Sequence, residues 1–421
     1  YPFQFQMTSK AKTGVFYGWV IVAACCVILS LGAGCHYSFG VFLTEMCHDL
    51  GWTRTTVSGA FSLFMLVHAL TYSVAGRLND KYGPRTLVMI SAVTMAAGFS
   101  LMSTINAPWQ LYIFYGIFVG VGFSFSYVPI ASTIPHWFAT KRGFALGITI
   151  AGIGIGTLVM APLAQYLIFH FGWRTSYLLI AGLIFIIVLP LSLLLRLNPS
   201  DKGLLPYGTE EIETKSKQRY NSPSRVVDFT LKRAIKAKAF WLLFVMYTIL
   251  YFAIKMVMVH LKAYATDAGI TPMLAATLIG LVGGVSIVGT ITTGSLSDKI
   301  GRKACFFISY LSMAVMMLWL LKANLAWQFY LFSALFGFGY GGSFTLFPTA
   351  IGDWFGMKFN GSIFGALSLA ALGGAIGPLL AGYIFDTTGS YELAVIIAAV
   401  MLFIAASLSL IIKAPQKNKR N

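Results

Sequence analysis

Apolar residues in this chain gather into long, nearly unbroken runs instead of alternating with polar ones. Twelve runs stand out, at 16–44, 54–75, 86–105, 109–133, 143–169, 174–195, 239–263, 272–295, 304–321, 327–349, 361–384 and 391–412. A helix needs about 20 apolar residues to cross a hydrocarbon core, so each run predicts a transmembrane helix. Polar residues are confined to short turns and to one long segment, 196–238, that contains Pro199, Pro206 and Pro223. That segment predicts a cytoplasmic linker, with a short surface helix over 228–238. The pattern predicts an all-α polytopic membrane protein made of two six-helix bundles, 7–195 and 239–412, followed by a tail, 413–421. Tyr1–Gln6, ahead of Met7, read as an added remnant and are set aside.

The two halves repeat one another. Gly76-Arg77-Leu78-Asn79-Asp80-Lys81-Tyr82-Gly83-Pro84-Arg85 is answered by Gly294-Ser295-Leu296-Ser297-Asp298-Lys299-Ile300-Gly301-Arg302-Lys303, an offset of 294 − 76 = 218 residues. Trp137-Phe138 is answered by Trp354-Phe355, Pro129 by Pro348 and Pro162 by Pro378. Six crossings per half bring both halves in from the same side, so an axis along the membrane normal relates them.

Composition agrees with the pattern. The chain is 57% apolar and 10% charged, against about 25% charged in soluble domains, and its mean hydropathy is +0.78. The net charge of +17 could suggest nucleic acid, but its distribution excludes that reading. With both termini cytoplasmic, the outside loops hold only Arg54, Arg174, Lys262 and Lys322. Setting these four and Lys255 aside leaves 25 of the 30 Lys and Arg inside, which is the positive-inside bias of a multi-pass protein. A plasma (cell inner) membrane location is expected. The five cysteines, Cys25, Cys26, Cys35, Cys47 and Cys305, lack metal spacing and read as packing residues. The glycine runs of spans five and eleven lack the strand context of phosphate loops, and no triad or metal cluster emerges. Neither an enzyme nor a cofactor is expected.

These residues resemble the major facilitator superfamily over essentially the whole chain. A narrower resemblance, to the monocarboxylate porters and the bacterial oxalate–formate exchangers, rests on four stretches: Phe16-Tyr17-Gly18-Trp19, Trp137-Phe138 with Lys141-Arg142-Gly143, Gly172-Trp173-Arg174, and His260-Leu261 with Tyr264-Ala265, Asp267 and Gly269. The resemblance implies a major facilitator fold and small carboxylate substrates, moved with a proton or by exchange at a midplane site. Where that group carries asparagine and arginine in span eight, this chain has Ser286 and Thr290. Span eleven holds no cation.

Sorting the charges isolates Lys255 as the one cation outside loops and helix ends. At such depth a cation is costly and rarely idle. It reads either as the counter-charge of an anion or as a side chain reaching outward to the interface, about 6 Å from the span centre. Tyr251 shares its face, four residues away. Tyr37, Tyr127 and Tyr340 lie in spans that line the cavity in this superfamily, and are candidate substrate ligands or packing residues. Ser124 and Ser343 are repeat-related hydroxyls suited to helix–helix hydrogen bonds. No carboxylate lies mid-span, so His260, Asp267 and His36 are the candidates for proton coupling. Asp80, Arg85, Asp298 and Arg302, in the duplicated turns, are candidates for a cytoplasmic gate. The expected activity is secondary transport of a small organic anion, a monocarboxylate, by alternating access with proton symport. The expected partners are that small molecule, a coupled proton and the lipid bilayer, with the protein acting as a monomer. Three alternatives stay open: a carrier or exporter of a larger or neutral amphipathic compound, an anion exchanger, and a receptor that binds without transporting.

Overall fold

The computed structural model describes residues 16–209, 229–356, 359–413 and 415. The leading 1–6 segment, the middle of the linker and most of the tail lie outside the described residues. Helices account for nearly all of the rest. The first half contains α1 (Tyr17–Tyr37), α2 (Phe39–Leu50), α3 (Arg54–Met102), α4 (Pro108–Leu111), a π-helical stretch Tyr112–Val119, α5 (Gly120–Trp137) and α6 (Arg142–Ser192). After the single turn α7 (Leu231–Ile235) come α8 (Lys238–Asp267), α9 (Pro272–Ile300), α10 (Arg302–Leu320), α11 (Ala326–Phe355), α12 (Asn360–Leu367), α13 (Gly373–Thr388) and α14 (Glu392–Ile411). Among the described residues, ten helical segments are long and apolar enough to cross a bilayer. One of them, the 50-residue Gly143–Ser192, doubles back at Gly172. The first expected span, 16–44, is broken at Ser38, whose N–H bonds the Gly34 carbonyl at 3.0 Å.

The duplicated turns share one backbone conformation. Gly83 has φ 77° and ψ 165°, and Gly301 has φ 91° and ψ 152°. Essentially only glycine adopts this region, which explains the second glycine of the motif. A methyl group would meet nothing within 4 Å at either position, so the requirement is conformational and not one of space. Gly83 lets α3 reverse direction, and Gly301 separates α9 from α10.

Small residues bring the helices close. The Gly156 position of α6 lies against the Ser30 carbonyl of α1, and Gly341 of α11 lies against the Ser286 carbonyl of α9. At both places a Cβ would overlap backbone, the close approach that apolar bundles use when lipid supplies no hydrophobic contrast. Aromatic stacks fill each half, with Phe42 on Tyr177 at 4.0 Å in one and Tyr247 on Phe347 at 4.1 Å in the other.

The halves touch only over part of their length. Gly154 of α6 packs against Ile287 and the Gly283 carbonyl of α9, and Gly283 faces Thr157. One and two further steps along the same stripe, toward the end that carries the Gly83 and Gly301 turns, Gly147 and Gly143 have nothing within 4 Å. Residues seven and eleven apart share a helix face, so the two halves diverge toward that basic end. At the opposite end they are clamped. Gly40 lies against the Met258 and Val259 carbonyls, and Gly382 lies against Arg54. The result is a cleft closed at one end and open at the other.

The linker is tied to both halves by matching contacts. Tyr207 N–H donates to the Trp137 carbonyl at 2.9 Å, and its own carbonyl accepts from Ala139 and Thr140. Phe229 N–H donates to the Phe355 carbonyl at 2.8 Å. The repeated Trp-Phe pairs thus each hold one end of the linker.

Candidate functional site

Lys255 sits at the apex of the cleft, on α8, and is 4% exposed. Its Nζ donates to the Tyr37 hydroxyl at 2.9 Å and lies 4.0 Å from the centre of that ring. His36 Nε2 is 3.3 Å away. An ammonium group can only donate, so this contact assigns the lone pair to Nε2 and the hydrogen to Nδ1. The Nδ1 hydrogen then faces the Tyr115 hydroxyl at 3.4 Å, and that hydroxyl donates to the His36 carbonyl at 3.3 Å. The imidazole is stacked on Phe64 at 4.2 Å and on Phe61 at 4.9 Å. Lys255 has no carboxylate partner among the described residues. A ring face and one phenol offset part of its desolvation, and the rest is left for something else to meet. The stem does not run out to the interface. It crosses Gly374 of α13, where a Cβ would come within 2.9 Å of Lys255 Cγ.

The Tyr37 hydroxyl also meets the Tyr340 hydroxyl at 3.4 Å, joining the two halves directly above the open cleft. Tyr251 lies one turn from Lys255, and Tyr127 stacks on Phe123 in the other half; both are part-exposed. The structure therefore gathers Lys255, His36, Tyr37 and Tyr340 at one point, with Tyr251 and Tyr127 nearer the opening. Ser286 and Thr290 are not part of that cluster. Ser286 Oγ bonds the Gly283 carbonyl at 2.7 Å, and Thr290 Oγ1 bonds the Gly341 carbonyl at 3.1 Å, both within the second half. Ser124 Oγ joins His68 and Thr71, each at 2.7 Å, whereas Ser343 Oγ finds no partner among the described residues.

His260 and Asp267 belong to a different assembly, at the closed end. His260 Nε2 lies 2.9 Å from the Pro378 carbonyl and so carries the hydrogen, while Nδ1 accepts from Tyr391 at 2.9 Å. Arg54 holds Asp267 through two bonds of 2.6 and 2.9 Å, donates to Tyr391 at 2.8 Å and stacks 3.7 Å over the Phe385 ring. Asp386 accepts from the backbone N–H groups of Arg54 at 3.0 Å and Thr55 at 2.7 Å, and from the Thr55 hydroxyl. A carboxylate from α13 thus caps the N-terminus of α3, where free N–H groups and the helix dipole favour an anion. Arg54 and Thr55 belong to the first half; Asp267, Asp386 and Tyr391 belong to the second.

One expectation from sequence needs correction. Lys262 is not in an outside loop. It lies inside α8, fully buried, bonded to the Val41 carbonyl at 2.7 Å, Thr44 at 3.1 Å and Glu45 at 3.2 Å. The helix runs on to Asp267, and Lys262 shares a face with Lys255 seven residues earlier, which the charge count missed. The duplicated turns do not join the halves here. Arg302 pairs with Asp298 at 2.6 Å and Asp353 at 2.9 Å, both in its own half. Arg85 has no ion pair among the described residues, and the Asp80 side chain lies outside them. Among the described residues, the ion pairs that cross between halves, Arg54–Asp267 and Lys262–Glu45, are both at the other end.

Two helical halves that meet around a buried cation, with a cleft between them, are an arrangement suited to membrane transport. The chain belongs to the Major Facilitator Superfamily, whose family model matches residues 20–296 and 243–421. Monocarboxylate transporter 13 of Bos taurus is 26% identical over 396 residues, covering 92% of this chain and 87% of that protein. Monocarboxylate transporter 12 of Rattus norvegicus is 27% identical over 431 residues, covering 96% and 87%. MFS-type transporter 1 of an Ophiocordyceps species is also 27% identical, covering 96% and 88%. Among solved structures, a bacterial homologue of the human lysosomal transporter Spinster, inward-facing and unoccupied, superposes with a TM-score of 0.73 at 15% identity. It covers 94% of this chain and 97% of its own. That likeness establishes the fold.

Proposed function

We propose that this protein carries a small organic anion, a monocarboxylate, across the plasma membrane by alternating access, together with a proton. The observation that carries the reading is the Lys255 cation, buried at the apex of the cleft between the halves without a carboxylate partner. A monocarboxylate entering the cleft would meet Lys255 and the Tyr37 hydroxyl in a charge-assisted pair. The names of the mammalian relatives support the same substrate class.

We count twelve crossings, taking the reversal at Gly172 as two spans and adding Ala326–Phe355 to the ten apolar segments of the described residues. Taking the basic end as cytoplasmic makes the open cleft inward-facing and the Arg54–Asp267–Asp386 cluster an outer clamp. His260 and Asp267 then serve that clamp. His36 is left as the proton site: its Nε2 lone pair lies 3.3 Å from Lys255 Nζ and can take a proton once a bound anion offsets that cation. Asp80, Arg85, Asp298 and Arg302 would form the inner gate only in the outward-facing state.

A second reading, transport of a neutral amphipathic compound, is favoured by Thr290 standing where the related group carries its arginine. Thermal shifts of the purified protein separate the two. Monocarboxylates are expected to raise Tm, as any ligand of the folded state must, and their uncharged amides are not. Stabilisation by the amides alone would favour the neutral compound.

A further inference from the structure

Two walls of aromatic rings, one from each half, converge on Lys255. In the first half Phe123 stacks on Tyr127 at 6.3 Å, and Tyr127 meets Tyr72 at 5.8 Å. In the second half Phe344 meets Tyr251 edge-on at 5.5 Å and Tyr340 at 5.8 Å. Phe123 also lies against His36 at 5.4 Å, so this wall begins at the apex. From there Tyr127, Phe344 and Tyr251 each stand one helical turn closer to the open end than Phe123, Tyr340 and Lys255. All three are part-exposed. The apex itself holds one cation and a row of phenolic hydroxyls.

A small aliphatic acid would occupy the apex and leave these rings facing water. A ring attached to the carboxylate would lie between the walls and use them. Aromatic faces favour offset and edge contacts with another ring over contacts with a saturated group. A second carboxylate would sit among rings with no second cation beside them among the described residues, an unpaired charge that the site would reject. We infer that the transported anion is an aromatic monocarboxylate, its carboxylate on Lys255 and the Tyr37 hydroxyl and its ring between Tyr127 and Phe344. The inference rests on the monocarboxylate reading above and specifies its substrate. Because one wall belongs to each half, such a ring would also touch both halves at once.

The test is equilibrium binding to the full-length protein in lipid nanodiscs, with propionate, 3-phenylpropionate, 3-cyclohexylpropionate and phenylsuccinate as probes. 3-Phenylpropionate is expected to bind roughly tenfold or more tighter than propionate, and tighter than the cyclohexyl acid and the dianion. The preference for 3-phenylpropionate over propionate is expected to shrink in Phe344→Leu and in Tyr127→Leu. The wild-type ranking stands as a test even if either variant fails to fold. Equal affinity for propionate and 3-phenylpropionate, with both lost in Lys255→Ala, would overturn the aromatic inference and leave the monocarboxylate reading intact. Parity of the phenyl and cyclohexyl acids would overturn it as well. Failure of every acid to bind the wild type would remove the monocarboxylate reading itself, and the inference with it.

Discussion

Lys255 is costly to the fold and useful to the site, and the two effects can be measured apart. Replacing a buried, unpaired cation by an apolar side chain of similar length removes a desolvation penalty. Lys255→Met is therefore expected to raise the Tm of the unliganded protein while weakening monocarboxylate binding on the order of 10–100-fold, the worth of a hydrogen bond to a charged group. A thermal scan with and without ligand reads both quantities; a lower Tm with unchanged ligand response would make Lys255 structural. The residue was legible in the sequence because a cation amid Phe252-Ala253-Ile254 and Met256-Val257-Met258 has no local reason to be there. Its partners were legible only as candidates. Tyr37 lies 218 residues away and His36 lies 219 away, and no local pattern encodes such a meeting. Lys262 was misread because it stands close to Asp267 and looks like a helix end. Its seven-residue spacing from Lys255, which puts both on the α8 face toward α1 and α2, was the signal that could have placed it.

At the scale of elements, the duplicated turn was the most legible feature, since Gly83 and Gly301 are the residues that the reversal requires. Gly301→Ala is expected to destabilise the protein by about 1–3 kcal/mol, the cost of a residue with a Cβ in that backbone region. Denaturation in detergent would check it, and an unchanged midpoint would mean the turn relaxes. The gating role assigned to these turns was less legible, because a sequence has no conformational state and the structure captures one. In that state Arg302 is satisfied by Asp298 and Asp353, and the interhalf ion pairs among the described residues are Arg54–Asp267 and Lys262–Glu45. The Asp386 cap on α3 was invisible in sequence, since an acid at the end of one helix does not reveal which other helix it will cap. Asp386→Asn and Arg54→Ala are expected to loosen the outer clamp and shift the protein toward the outward-open state. A cysteine introduced as Ser58→Cys, at a position that is buried here with the serine Oγ 3.2 Å from His260 Nε2 of the other half, would then react faster with an impermeant maleimide. Labelling at the wild-type rate in both variants would show that the clamp does not govern opening.

For the whole molecule, the positive-inside bias, the repeat and the run lengths together made the two-bundle fold readable without structure. The asymmetry of the cleft was not readable, because Gly143, Gly147 and Gly154 look alike in sequence and only the last meets the other half. The electrostatics of a single apex cation set the transport energetics. Carrying a bare anion inward opposes the membrane potential by about 2.3 kcal/mol per charge per 100 mV, and a proton taken with it removes that term. Uptake is therefore expected to rise as external pH falls, with His36→Gln losing the dependence. A pH-independent rate with obligatory exchange for an internal anion would point to antiport instead.

Counterflow in liposomes tests the central claim most directly. Purified protein would be reconstituted into vesicles loaded with unlabelled monocarboxylate, and labelled monocarboxylate would be added outside. The wild type is expected to accumulate label transiently above equilibrium, and Lys255→Ala, folded and inserted to the same level, is expected to accumulate none. Undiminished counterflow in Lys255→Ala, or none in the wild type with any monocarboxylate, would contradict a carrier built around that cation.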